Sequence, residues 1–163
     1  MAVKIDPHQA EHLGSDGHLP PVPLERLTRD ALIQRFAAPP AWQTDADNEL
    51  WIRAKEFVPA SVLVPLVMRD QVSVLLTQRT AHLSKHAGQI SFPGGRQEPT
   101  DPDPVATALR EAQEEVGLDP SRVQVLGTLP PYATGTGFMV TPVVGLIDPL
   151  EDEMQRLRLQ ADA

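Results

Sequence analysis

The strongest constraint on the fold is one helix whose two ends are both written into the sequence, set between runs that read as strands. Asp103 is placed to cap its N-terminus, Pro104 suits its first turn, and Gly117 is the residue expected where a helix closes in the left-handed region. Val105, Ala108, Leu109, Ala112 and Val116 fall on one side at 100° per residue, so that side should dock on a sheet. On either side of this helix the texture is β-branched. Runs at 61–67, 71–77, 89–92, 122–129 and 138–147 read as strands, with Arg69-Asp70 as a hairpin turn and Pro130-Pro131, Gly135 and Gly137 as punctuation. Pro65 predicts an edge position or a bulge for the first of them. The expected class is α+β, a mixed sheet interrupted by one strong helix.

Before the strands, Leu24, Leu27, Ala31, Leu32 and Phe36 recur at helical spacing with Thr28 as a candidate cap, and a second helix is predicted over 45–55 with Trp51 and Ile52 on one side. Residues 1–23 hold three His, four Pro and two Gly with little periodicity, the pattern of a mobile tail. The expected organisation is therefore a tail (1–23), a helical extension (24–58) and a main domain (59–163). Aromatics are only 4% of the 163 residues, so a core must be built from Val, Leu, Ile and Ala.

The acidic residues of the helix are placed against helix stability. Glu111 lies three and four residues from Glu114 and Glu115, where like charges cost about 0.2–0.5 kcal/mol per pair. Glu114 and Glu115 also occupy the last turn, at the negative end of the helix dipole. The plain alternative is a solvated acidic face partly neutralised by Arg110. The preceding Phe92-Pro93-Gly94-Gly95 reads as a tight turn that exposes backbone to a metal or a phosphate.

With these residues in view, the run from Gly95 to Leu118 resembles the box of the Nudix hydrolases, G-x5-E-x7-R-E-U-x-E-E-x-G-U with U aliphatic. The second half matches at each fixed position, with Ala112 as a small U. In the first half Asp101 stands where Glu would fall, and one extra residue separates it from Arg110. Leu75-Leu76-Thr77-Gln78-Arg79, Gly88 and Phe92-Pro93-Gly94-Gly95 further resemble the subfamily that hydrolyses coenzyme A, with Thr80, Lys85 and Glu98 in place of Ser, Arg and Asp. Lys85 lacks the bidentate fork of Arg.

The resemblance implies an α/β/α sandwich around a mixed sheet, here expected to lack its C-terminal strand and helix, because after 138–147 only the charged stretch 151–163 follows. It also implies Mg²⁺ or Mn²⁺ held by Glu111, Glu114 and Glu115, with Glu111, Glu114 and Arg110 as the catalytic set. Arg110 would act chiefly by holding the carboxylates. Arg79, Lys85, Gly94 and Gly95 are the expected substrate contacts. The implied reaction is cleavage of coenzyme A or an acyl derivative into 3′,5′-ADP and the matching 4′-phosphopantetheine. ADP-ribose or another nucleoside diphosphate derivative is the alternative substrate, and a non-catalytic binding module is the alternative of another class.

A formal charge of −8 argues against a partner gripped through a broad basic face, so a small-molecule substrate is expected and nucleic acid is not. His82 and His86 have the spacing of a zinc pair without an H-E-x-x-H pattern around them. Cysteine is absent, which removes disulfides and thiolate chemistry, and no run approaches the roughly 18 apolar residues of a membrane span. A cytoplasmic location is expected, and a homo-oligomer is compatible with the sequence.

Overall fold

The computed structural model describes residues 18–41, 56–78 and 90–149. The predicted helix at 45–55, the loop residues Arg79, His82, Lys85 and His86, most of the N-terminal tail and the stretch 151–163 lie outside the described residues.

The helix α1 spans Arg29–Ala37 and follows a turn of 3-10 helix at Leu24–Leu27. Thr28 is its cap: the Oγ1 atom accepts the amide of Ala31 at 3.3 Å. The helical spacing from Leu24 to Phe36 therefore divides at Thr28 into two short elements, because the extended backbone of the cap cannot lie inside one continuous helix.

The strands are β1 (Val58–Met68), β2 (Val72–Val74), β3 (Thr77–Gln78), β4 (Ile90–Ser91), β5 (Gly94–Arg96), β6 (Val123–Thr128), β7 (Tyr132–Ala133) and β8 (Phe138–Ile147); α2 spans Pro104–Val116. At the centre β1 and β8 run parallel, in register from Val58 opposite Phe138 to Val67 opposite Ile147. β2 and β5 add antiparallel to the outer side of β1, and β6 and β7 to the outer side of β8. β3 and β4 form a separate two-stranded ribbon. The mixed sheet is as the sequence predicts.

Pro65 is not at an edge. It sits in the middle of central β1, and it is tolerated because its side of the strand changes partner there. Leu63 donates to the carbonyl of Pro93 beside β5, and the Pro65 carbonyl accepts Leu75 beyond β2. The ladder on that side thus passes from β5 to β2 around Pro65, whose carbonyl keeps a partner although the residue has no N–H to give. Pro142 repeats the device on β8: its carbonyl accepts Leu129, in the gap between β6 and β7.

Leu63, Val143 and Ile147 of the sheet meet Ala108, Ala112 and Val116 of α2, with Leu118 just beyond the helix, in one buried cluster. The alanines let the helix approach the sheet closely, which brings the flank of α2 that carries Glu111 and Glu115 to β5. Both ends of α2 are as the sequence specifies. Asp103 Oδ1 accepts the amide of Ala106 at 2.8 Å, and Gly117 stops the helix at φ 69°. Replacing Asp103 by Ala should lower stability by about 1 kcal/mol. Urea denaturation checks this, and an unchanged midpoint would show that the cap contributes nothing.

On the far side of the sheet, α1 lies against β6. Arg29 donates to Gln124 Oε1 at 2.9 Å and pairs with Asp148, while Phe36 packs 3.6 Å from where a Cβ of Gly127 would stand. Gly127 marks the bulge at which the β6 register shifts.

Candidate active site

α2 presents its acidic side to β5, and the first consequence is a role for the two glycines. Gly94 and Gly95 are not a turn but the start of β5, paired with Val62 and Ser61 of β1. What they supply is absence of bulk. A Cβ at Gly94 would collide with the Ser61 carbonyl and the Val62 backbone, and one at Gly95 would lie 2.5 Å from the Glu111 carboxylate. Glu115 Oε2 accepts the amide of Gly94 at 3.2 Å. Glu111 and Glu115 are thus brought onto adjacent residues of one strand, as their i,i+4 spacing allows.

Arg110 organises the neighbourhood. Its guanidinium meets Asp101 Oδ2 at 3.1 Å, Glu111 Oε1 at 2.9 Å and Glu114 Oε2 at 3.1 Å, and donates to the Arg96 carbonyl at 2.9 Å. Glu114 is exposed and lies on Arg110, apart from the Glu111 and Glu115 contacts with β5. Among the described residues no three His, Asp or Glu side chains stand together as a formed metal cluster. The expected ligands therefore divide, with two against β5 and the third on Arg110.

The electrostatics follow from this packing. Burial pushes the Glu111 carboxyl up from its ordinary value; Arg110 opposes the rise, while the charges of Glu114 and Glu98 add to it. Such a carboxylate, partly buried and made of hard oxygens, is suited to Mg²⁺ or Mn²⁺. The donor set fits the ion that the sequence implies.

Asp101 behaves oppositely. Hydrogen bonds from Arg110 and the Glu98 amide, joined by one from Thr107, hold its carboxyl down from 3.8 to about 2. Because the folded value lies below the unfolded one, this group stabilises the fold above about pH 4 and loses that effect as pH falls toward 2. The stability gap between the wild type and Asp101→Asn should be widest near neutrality and narrow between pH 4 and 2. Urea melts across that range check it, and a gap independent of pH would contradict the assignment.

Two features were not anticipated from the residues. Asp101, which stands where the box has Glu, is the main anchor of Arg110. Thr107 is fully buried and donates to Asp101 Oδ2 at 3.0 Å. The signal for Thr107 was present in its place four residues before Glu111, on the acidic stripe rather than the apolar one. Arg79 and Lys85 lie outside the described residues.

No helix among the described residues is long and apolar enough to cross a membrane. The NUDIX domain model matches residues 58–157. Among curated proteins, the chain is 58% identical over 90 residues to a protein of Escherichia coli (strain K12 / DH10B) called "Uncharacterized Nudix hydrolase NudL", covering 55% of this chain and 47% of that one. A protein of the same name from Salmonella paratyphi B is 59% identical over 125 residues, 76% of this chain and 61% of its own. The chain thus spans about half to three fifths of the length of these relatives. Among solved structures, a C. elegans Ap4A hydrolase binary complex aligns with a TM-score of 0.52 at 19% identity over 63% of this chain and 73% of that one, a likeness of fold. The two carboxylates on β5, the Arg110 clamp beside them and the family match over 58–157 agree, and the chain belongs to the NUDIX domain family.

Proposed function

We propose that the protein hydrolyses the diphosphate bond of coenzyme A or an acyl derivative in the presence of Mg²⁺ or Mn²⁺. The observation that carries this reading is the convergence of Glu111 and Glu115 on the Gly94–Gly95 backbone, next to a guanidinium that fixes their helix to the preceding loop. Water adds to one phosphorus, the bridging P–O bond breaks, and the products are 3′,5′-ADP and 4′-phosphopantetheine or its acyl form.

Glu111 and Glu115 would hold the ion, with Glu114 as the third candidate. A bound divalent cation supplies charge neutralisation of the diphosphate and a more acidic water. Glu111 is the carboxylate we assign as proton acceptor, and Arg110 holds it against β5. Glu114 adds negative charge beside it and shares the same guanidinium. Gly95 leaves the space in which the Glu111 carboxylate sits.

The substrate rests on the Leu75–Arg79 and Phe92–Gly95 stretches, which resemble those of coenzyme A hydrolases. Thr77 in the first is buried, and its hydroxyl meets the Ser91 carbonyl at 3.1 Å, tying β3 to β4 on either side of residues 79–89. Arg79 and Lys85 in that interval are proposed to meet substrate phosphates.

Chromatographic product analysis of the full chain with coenzyme A or ADP-ribose, each with Mg²⁺ or with EDTA, tests the reading. Metal-dependent release of 3′,5′-ADP from coenzyme A, faster than AMP from ADP-ribose, is expected. Faster cleavage of ADP-ribose would move the substrate assignment. No metal-dependent turnover of either would contradict the catalytic reading and favour a binding module.

A further inference from the structure

The first half of the family box is irregular in this chain: Asp replaces Glu, one methylene shorter, and stands nine residues before Arg110 rather than eight. A shorter acid set one residue further away should not reach the same guanidinium unaided. We infer that the Thr107 hydroxyl is the positioning group that compensates, steering Asp101 onto Arg110 and through it fixing the Glu111 carboxylate.

Three observations carry this. Thr107 is fully buried in a helix whose neighbouring inward positions are Ala and Val, a place where a hydroxyl is costly unless bonded. Its Oγ1 donates to Asp101 Oδ2 at 3.0 Å and lies 3.3 Å from the Asp103 carbonyl, so it joins the loop acid to the first turn of α2. The loop itself folds back at residues 98–101: the Asp101 amide donates to the Glu98 carbonyl and the Glu98 amide returns to Asp101 Oδ2, both at 2.9 Å. That turn holds Asp101 from its own side, while the extra residue lies after it, between Asp101 and Arg110. Asp101 Oδ2 then receives Thr107, Glu98 and Arg110 together, with Oδ1 left to Arg110 Nε at 3.1 Å. The carboxylate has little freedom to leave the guanidinium while the Thr107 hydroxyl is present.

The contacts of Thr107 do not depend on the metal reading, although its consequence for Glu111 bears on it, so the test separates the two. In nitrogen-15 spectra of the full chain without metal, Arg110 Nε–H should give a slowly exchanging signal. Thr107→Val keeps the shape and removes the hydroxyl, and should speed that exchange several-fold. Thr107→Ser should restore it. Exchange in Thr107→Val equal to wild type, or Thr107→Ser as impaired as Thr107→Val, would overturn the inference. Should Thr107→Val fold poorly, the hydroxyl is read instead in the Asp101→Asn background by comparing Thr107→Ala with Thr107→Ser. The exchange difference between those two should be much smaller there than with Asp101 in place, and an undiminished difference would also overturn the inference. Mn²⁺ affinity, measured separately, should fall about tenfold in Thr107→Val. Altered exchange with no Mn²⁺ binding in any variant would uphold the positioning role and contradict the metal reading alone.

Discussion

Glu115→Gln should lower metal-dependent turnover at least about a hundredfold while leaving the protein as stable as before or slightly more so. Gln keeps the length and an amide oxygen that can still accept the Gly94 amide, so the contact of α2 with β5 survives. The charge does not. Loss of a ligand should exceed the roughly 10–100-fold typical of residues that only orient ligands, which corresponds to about 2.7 kcal/mol or more in transition-state stabilisation. Stability should move the other way. Glu115 shares a stripe with Glu111 and sits at the negative end of the helix dipole, so neutralising it relieves about 0.3–1 kcal/mol of repulsion. Steady-state kinetics and urea melts on the same preparation check the two signs. A parallel loss of both would mean that Glu115 is structural.

Arg110→Ala should be the more damaging change to the fold. It strips the partner from Asp101 and Glu111, whose side chains are only 6% and 16% exposed, and it frees the carbonyl of Arg96 at the end of β5. Removing one member of a largely buried ion pair leaves the other charge desolvated, at a cost of about 3 kcal/mol. That is a large share of a typical domain stability of about 5–15 kcal/mol. Arg110→Lys should recover only part, because an ammonium cannot reach Asp101, Glu111 and Glu114 with a planar fork. Denaturant melts of the three proteins provide the check. A loss below about 1 kcal/mol for Arg110→Ala would show that solvent replaces the guanidinium.

The elements most legible in the sequence were those with chemically marked ends. Asp103, Pro104 and Gly117 delimit α2 because capping is local, and 138–147 reads as a strand because its apolar run is bounded by turn residues on one side. Pro65 and Gly94–Gly95 were read from local rules and misplaced by them. A proline's missing donor matters only if a partner stands opposite, and two glycines mark a turn only if no neighbouring side chain needs their space. Both conditions are set by tertiary packing, β1 facing β5 and then β2 in one case, Glu111 against Gly95 in the other. β7 went unseen because two residues carry no periodicity. At the site, the three glutamates were singled out by charge placed against helix stability, and Arg110 by the family resemblance. Their division into two carboxylates on β5 and one on Arg110 was not, since spacing fixes which side of a helix a residue occupies and leaves its rotamer open.

Titration of Mn²⁺ into the full chain, followed by loss of the free-ion electron paramagnetic resonance signal, addresses the Glu111 and Glu115 assignment without requiring turnover. Saturable binding is expected in the wild type, weakened at least about tenfold by Glu111→Gln and by Glu115→Gln, and unchanged by Glu25→Gln in the 3-10 turn before α1. Equal Mn²⁺ affinity in all four proteins would contradict a metal site on the acidic side of α2.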